Sequence, residues 1–382
     1  MSDIAIAMDT STTASEQALS VSLGRLFWIA VVLWLASNCF VTVIARFATW
    51  EGNATYSRMS DLCRWDCGWY GSIVHKGYDK VPERQNDEVN WPFHPLFPIT
   101  AYPFFHWGKL KLWTSLVLTS KIELLFAIYG FLLLSSEKVE TTNEAVLAGS
   151  LVAFNPYVIY AHAGYSEPLY FGLLALAFYF VNRRRWVLSG TMGGLASATR
   201  FVGVLFAVSY AIAWLREIRT LPSWRRASLN HILGLLLCPL GAALFTLYLY
   251  GHIGDALVQR HAQVARHKAP GNPFQTLWMC FTAHHWPRLW GVMIVIALGL
   301  SVWLVTIRKP ELGLFLALSV LLPLSTTSWS TPRYIWWEPP FLYAIFRILR
   351  TNRPLSLIYT AFASGVAAFM IVEWFSFHSF VV

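Results

Sequence analysis

Ten apolar runs punctuate the sequence, at 26–45, 113–134, 145–162, 169–181, 187–215, 232–250, 289–307, 312–328, 334–349 and 355–375. A helix needs about 20 apolar residues to cross a bilayer, and most of these runs meet that length. The run at 169–181 is short and extends into its flanks. Only 13% of the residues are charged, and mean hydropathy is +0.49. Soluble domains carry roughly 25% charged residues, so water is the wrong solvent for this chain. A soluble enzyme, a disordered chain and a disulfide scaffold are all disfavoured. The 19 tryptophans suit interfacial belts. The expected fold is an all-α polytopic membrane protein of about ten to eleven transmembrane helices.

The net charge of +9 reads as an orientation signal, with no nucleic acid partner expected. With the N-terminus in the cytoplasm, the short cytoplasmic loops carry Arg183, Arg184 and Arg185; Arg216, Arg219, Arg225 and Arg226; Arg308 and Lys309; Arg347, Arg350 and Arg353. The positive-inside rule applies to such short loops. Two long segments, 46–112 and 251–288, then face outside. Residues 1–25 are polar, rich in Ser and Thr, and lack the features of a signal peptide. They are expected to form a disordered cytoplasmic tail before a single transmembrane domain at 26–382. The 187–215 run has basic loops at both ends, yet two crossings need about 40 residues. Two short half-helices meeting near Arg200 are expected, as a tight pair or a re-entrant hairpin. Gly190, Gly193 and Gly194 permit close helix contact there.

Every histidine but His231 maps to the outside or to an outer helix end, which points to a working outer face. The most informative stretch runs from Arg64-Trp65-Asp66-Cys67-Gly68-Trp69-Tyr70 to Gly77-Tyr78. An aspartate among aromatics beside an arginine can be partly desolvated yet stay charged, which suits a general base. The competing reading is an interfacial helix anchored by its Trp and Tyr side chains. In Trp91-Pro92-Phe93-His94-Pro95-Leu96-Phe97-Pro98, three prolines argue against a regular helix. Glu167, after Gly164-Tyr165-Ser166, is either a site residue or a carboxylate serving a helix start. Arg200 and Arg333 either clamp a phosphate or snorkel to headgroups. Around Arg260, His261 and Gln263 the second outer segment is substrate-facing or a surface helix, and pattern alone does not choose. Cys63 and Cys67 leave a disulfide open. No nucleotide-binding or zinc motif is evident.

Taken in order, these elements resemble the PIG-V family of mannosyltransferases, of the GT-C superfamily. The matching elements are Arg64 to Tyr78, Phe93 to Pro98, Asn155-Pro156 through Gly164-Tyr165-Ser166-Glu167 to Leu169, Ala198-Thr199-Arg200 to Gly203, and Pro332-Arg333-Tyr334. His94 departs from the family's aromatic, and Phe201-Val202 departs from the Ser-Asn of eukaryotic members. The resemblance implies a GT-C-like bundle with a large first outer loop, and a polyprenyl-phosphate sugar donor such as dolichyl-phosphate mannose. It implies Asp66 as the catalytic residue and Glu167, Arg200 and Arg333 as site residues; Arg200, Arg333 and His94 are expected at the donor phosphate. Arg64, Trp65, Trp69, Tyr70, Tyr165, Glu167, His261 and Gln263 are then expected to contact substrate. No cofactor is expected, a divalent metal staying open. The expected partners are the lipid-linked donor, a lipid-linked or glycan acceptor, and membrane lipids. The expected place is the plasma membrane of a prokaryote, with the site outside. A transporter or lipid flippase is the rival: broken helices suit it, but it calls for an internal repeat and for polar groups at the midplane.

Overall fold

The computed structural model describes residues 21–51, 56–81, 88–219, 224–265, 270–283 and 286–376. Among these residues the structure is helical, with no β-strand. Seventeen α-helices follow in chain order: α1 (Leu23–Glu51), α2 (Asp66–Lys76), α3 (Leu96–His106), α4 (Leu112–Ser135), α5 (Thr142–Ala153), α6 (Glu167–Asn182), α7 (Trp186–Thr199), α8 (Phe206–Ile218), α9 (Trp224–Leu237), α10 (Leu240–Ile253), α11 (Val258–Ala265), α12 (Pro273–Thr282), α13 (Trp286–Thr306), α14 (Pro310–Leu324), α15 (Thr331–Trp336), α16 (Pro339–Leu349) and α17 (Arg353–Ser376). Five spans are long and apolar enough to cross a membrane, one of them α8 with the 3-10 turn before it. A sixth is the pair α9–α10, and three shorter apolar helices, α6, α14 and α16, add to them. The tail at 1–20, within the 1–25 segment, lies outside the described residues.

Helix α4 is the hub. Its 24 residues span about 36 Å, and it is buried along most of its length between α1, α3, α5 and α6. Helix α6 packs on α7, and α7 on α9 and α10. Gly190 and Gly194 meet Gly234 and Leu237 of α9 with no room for a Cβ, so the expected close glycine contact is made there. Large apolar side chains point outward from α1, α10, α13 and α17, among them Trp28, Leu247, Val302 and Ile358. Water gives them no reason to face out, whereas lipid does.

Proline dictates where several spans break. The 145–162 run was expected as one helix, but α5 stops at Ala153. Pro156 has no N–H to continue the ladder, and the Asn155 side chain accepts from the Tyr157 N–H. A 3-10 turn, Val158–His162, follows. The 232–250 run bends by 45° between α9 and α10, at Cys238-Pro239. The 334–349 run splits into α15 and α16 before Pro339-Pro340. The 187–215 run breaks at Arg200, whose backbone is extended, as its length required. One expectation is corrected in part: 91–95 is non-helical as its prolines require, but α3 begins at Leu96 and takes in Pro98. That proline sits in the first turn, where the helix leaves N–H groups unpaired anyway.

A buried polar chain holds the non-helical 154–166 segment. The Lys121 ammonium donates to Asn38 Oδ1 (2.7 Å) and lies 3.0 Å from His162 Nδ1. An ammonium has donors only, so His162 accepts at Nδ1 and presents Nε2–H to Ser37 Oγ (3.1 Å). Ser37 in turn donates to the Ala153 carbonyl. At the other end of α4, ion pairs gather the short basic connections. Arg350 reaches Glu140 and Glu144, Lys309 reaches Glu137, and Arg216 reaches Glu311.

Candidate active site

The helix breaks converge on one group of charges. Asp66 opens α2, Glu167 opens α6, Arg200 ends α7 and Arg333 lies in α15. Arg333 Nη2 lies 3.3 Å from Asp66 Oδ2, and its Nε lies 3.3 Å from Glu167 Oε1. Arg200 Nη1 reaches the same Glu167 oxygen at 2.9 Å. Two cations and two carboxylates therefore form one neutral network. Tyr334 lies between the arginines: Arg333 donates to its hydroxyl (3.1 Å), and Arg200 lies over its ring at 4.4 Å.

Exposure sorts the four roles. The side chains of Glu167 and Arg333 are 2% and 6% exposed, those of Arg200 and Asp66 18% and 27%. Glu167 and Arg333 are the buried frame; Asp66 and Arg200 are what an incoming molecule meets. Glu167 does not serve its own helix start, since its carboxylate is engaged by the arginines. Asp66 Oδ1 carries no hydrogen bond among the described residues.

The expected neighbours divide. Tyr165 accepts from the Asp66 N–H (3.2 Å) and donates to the Arg64 carbonyl (2.9 Å). Tyr70 shares a hydrogen bond with Ser166 (2.8 Å), tying α2 to the start of α6. Trp69 stacks on Phe93 at 5.7 Å. Arg64 and Trp65 turn toward α17 instead: Arg64 donates to the Trp374 carbonyl, and Trp65 packs edge-on against the Trp374 ring. His261 is exposed and pairs with Asp255 (2.7 Å), and Gln263 is half-buried on the same α11. The structure gives neither of them a contact with the Asp66 group. The Cys63 and Cys67 thiols are joined as a disulfide, with their Cα atoms 5.4 Å apart.

His94 is buried between Phe201 and Phe245, 3.4 Å from the Gln259 side-chain nitrogen. Burial pushes its pKa down to about 4; the Ser197 backbone opposes this and the Arg200 cation adds to it. At neutral pH it is an uncharged imidazole that brings no positive charge to the site.

Beside the site lies an apolar cavity of about 850 Å³. Its walls come from α2 and α3 on one side and α7, α9 and α10 on the other, with Pro95, Ala198 and Phe245 among them. Pro95 follows His94, and Ala198 precedes Arg200 by two residues. The rim residues Ile99, Trp107 and Leu244 are exposed, so the cavity opens on the apolar outside of the bundle.

Sequence reasoning missed Glu338, which is buried and accepts from the Tyr170 hydroxyl (3.2 and 3.4 Å). Tyr170 in turn stacks under Arg200, at 5.7 Å. The signal was there: a single carboxylate in the apolar stretch Trp336-Trp337-Glu338-Pro339, where an ionisable group is costly without a role.

No family model matches the sequence, and no curated protein matches it. Solved structures do. The chain is similar to ArnT from Cupriavidus metallidurans, in a crystal structure bound to undecaprenyl phosphate. The identity is 15%, the match covers 89% of this chain and 63% of that one, and the TM-score is 0.51. It is also similar to the archaeal oligosaccharyltransferase AglB from Archaeoglobus fulgidus, in complex with an inhibitory peptide and a dolichol-phosphate. There the identity is 12%, the coverage 90% and 55%, and the TM-score 0.50. The chain spans less than two thirds of the length of either. The likeness is one of fold: an all-α, multi-pass membrane bundle.

Proposed function

We propose that this chain is an inverting glycosyltransferase that moves a sugar from a polyprenyl-phosphate donor to a lipid-linked or glycan acceptor. The observation that carries the reading is the half-buried, half-engaged carboxylate of Asp66, held by Arg333 within the network of charges. Its Oδ1 accepts the proton of the acceptor hydroxyl. The hydroxyl oxygen attacks the anomeric carbon from the face opposite the phosphate, so the configuration inverts. The leaving group is already a phosphate and needs no strong acid. Arg200, the more exposed arginine, meets its developing charge, while Arg333 holds the base. The apolar cavity suits the polyprenyl tail, leaving the phosphate at the His94–Arg200 end. The PIG-V-like motifs put mannose first as the sugar and the outer face of a prokaryotic plasma membrane as the place. They also support reading the chain as a prokaryotic relative of that family. The ArnT and AglB structures hold polyprenyl-type phosphates, which supports the donor class. Positioning and one base suffice for this chemistry; no cofactor enters it, and a divalent ion stays open.

The test is transfer from a radiolabelled polyprenyl-phosphate mannose, by the purified full-length protein, to lipids extracted from its own membrane. Asp66→Asn is expected to lower the rate by about 10²–10⁴-fold with donor binding intact, and Arg200→Ala to weaken donor binding. Transfer by Asp66→Asn near the wild-type rate would overturn the base assignment. Transport of the donor without bond cleavage would favour a flippase.

A further inference from the structure

The turn that delivers Asp66 is unusual in three ways at once. Cys63 and Cys67 close a disulfide around Arg64-Trp65-Asp66. Trp65, inside that loop, has φ 47 and ψ −112, in the positive-φ half of backbone space that side-chain-bearing residues avoid. Such outliers persist only where the surroundings over-determine them. The rest of the loop is also held. Trp374 donates to the Leu62 carbonyl and packs against Trp65, and Tyr165 bonds both the Arg64 carbonyl and the Asp66 N–H.

An aspartate at a helix start ordinarily turns back and caps the free N–H groups of its own first turn. Here it does not. With Trp65 in that conformation, the Cys67 and Gly68 N–H groups bond the Arg64 and Trp65 carbonyls (3.1 and 2.8 Å). Asp66 is thereby moved one place into the helix, and its carboxylate points to Arg333. The geometry points to the Cys63–Cys67 disulfide as the positioning device of the site: it holds Trp65 in the strained turn and so keeps Asp66 from capping α2. Gly164 is part of the same arrangement. Its φ is +79, and a Cβ there would lie 2.7 Å from Cys67 Sγ, so the segment bearing Tyr165 and Glu167 can close onto the bridge only with glycine at that place.

The proposal rests on Asp66 as the base, and two readouts keep the two ideas apart. The first needs no activity: hydrogen exchange of the full-length protein in lipid nanodiscs, before and after a phosphine reductant. The phosphine supplies two electrons and becomes its oxide, with water furnishing the oxygen and the protons of two thiols. Peptide mapping should find Cys63 linked to Cys67, and reduction should speed exchange at the Asp66, Cys67 and Gly68 amides while leaving α4 unchanged. The second is transfer. In Cys63→Ala/Cys67→Ala, kcat should fall by about a hundredfold, the scale of a 1 Å misplacement of a reacting group. Donor KM should stay within about threefold, and the variant should be insensitive to reductant. Unlinked cysteines, unchanged exchange on reduction, or full kcat without the bridge in a protein that Asp66→Asn inactivates would each overturn the proposal. If the wild type transfers nothing, the functional reading fails, and the exchange measurement still decides whether the bridge holds the turn.

Discussion

Arg333 donates to Asp66 at 3.3 Å, joining residues 267 places apart in the chain. The same guanidinium lies 3.3 Å from Glu167, so one buried cation serves two carboxylates from two helix starts. A planar fork fixes the angle of its partners in a way an ammonium cannot. Arg333→Lys should therefore fold yet lose at least about tenfold in kcat, in keeping with one charge-assisted hydrogen bond of roughly 1.5–3 kcal/mol. Transfer assays at saturating donor, beside a melting curve, check this.

Among the described residues, Glu167 is the only carboxylate within ion-pair distance of both Arg200 and Arg333. Glu167→Gln leaves Arg333 with Asp66 and takes from Arg200 the carboxylate it pairs with. Removing one member of a buried ionic network costs about 3–5 kcal/mol, so a clear fall in melting temperature is expected. An unchanged melting temperature would mean that the network is looser than its distances imply.

His94 makes stability depend on pH. Its pKa is about 4 when folded and about 6.5 when unfolded. Above pH 6.5 both states are neutral and the contribution is complete. Between pH 6.5 and 4 the unfolded chain binds a proton that the folded chain refuses, so stability falls as the pH drops. Below about 4 the loss is complete, at roughly 3 kcal/mol. Melting temperatures across this window should drop in the wild type and drop less in His94→Phe.

The cavity makes a prediction about tail length. Ile99→Trp and Leu244→Trp each place an indole at its exposed rim. Displacing about two methylenes of a bound tail forfeits roughly 0.8 kcal/mol each. KM for a long-chain donor should rise roughly tenfold, while a short-chain analogue keeps its KM. Equal effects on both donors would place the tail elsewhere.

Much of this could be read from the chain. The apolar runs located the membrane helices, though among the described residues only five, or six with the bent α9–α10 pair, are long enough to cross, and the 29-residue length of the 187–215 run placed the break at Arg200. Asp66, Glu167, Arg200 and Arg333 stood out because ionisable groups are scarce in so apolar a sequence. His261 stood out by the same reasoning, yet it pairs with Asp255, since a polar residue on the exposed face of a short helix costs nothing and carries little information. Glu338 was overlooked although its burial is expensive, because no motif drew attention to it.

The sequence by itself determined the solvent, the apolar helical segments and the break at Arg200, since hydropathy and run length are local properties. Only the tertiary structure decided who pairs with whom. That Glu167 holds two arginines rather than its own helix start, and that His94 is too buried to charge at neutral pH, both depend on contacts between distant segments. Desolvation and ion-pair geometry are set by what surrounds a group in space, and no residue spacing along the chain records that.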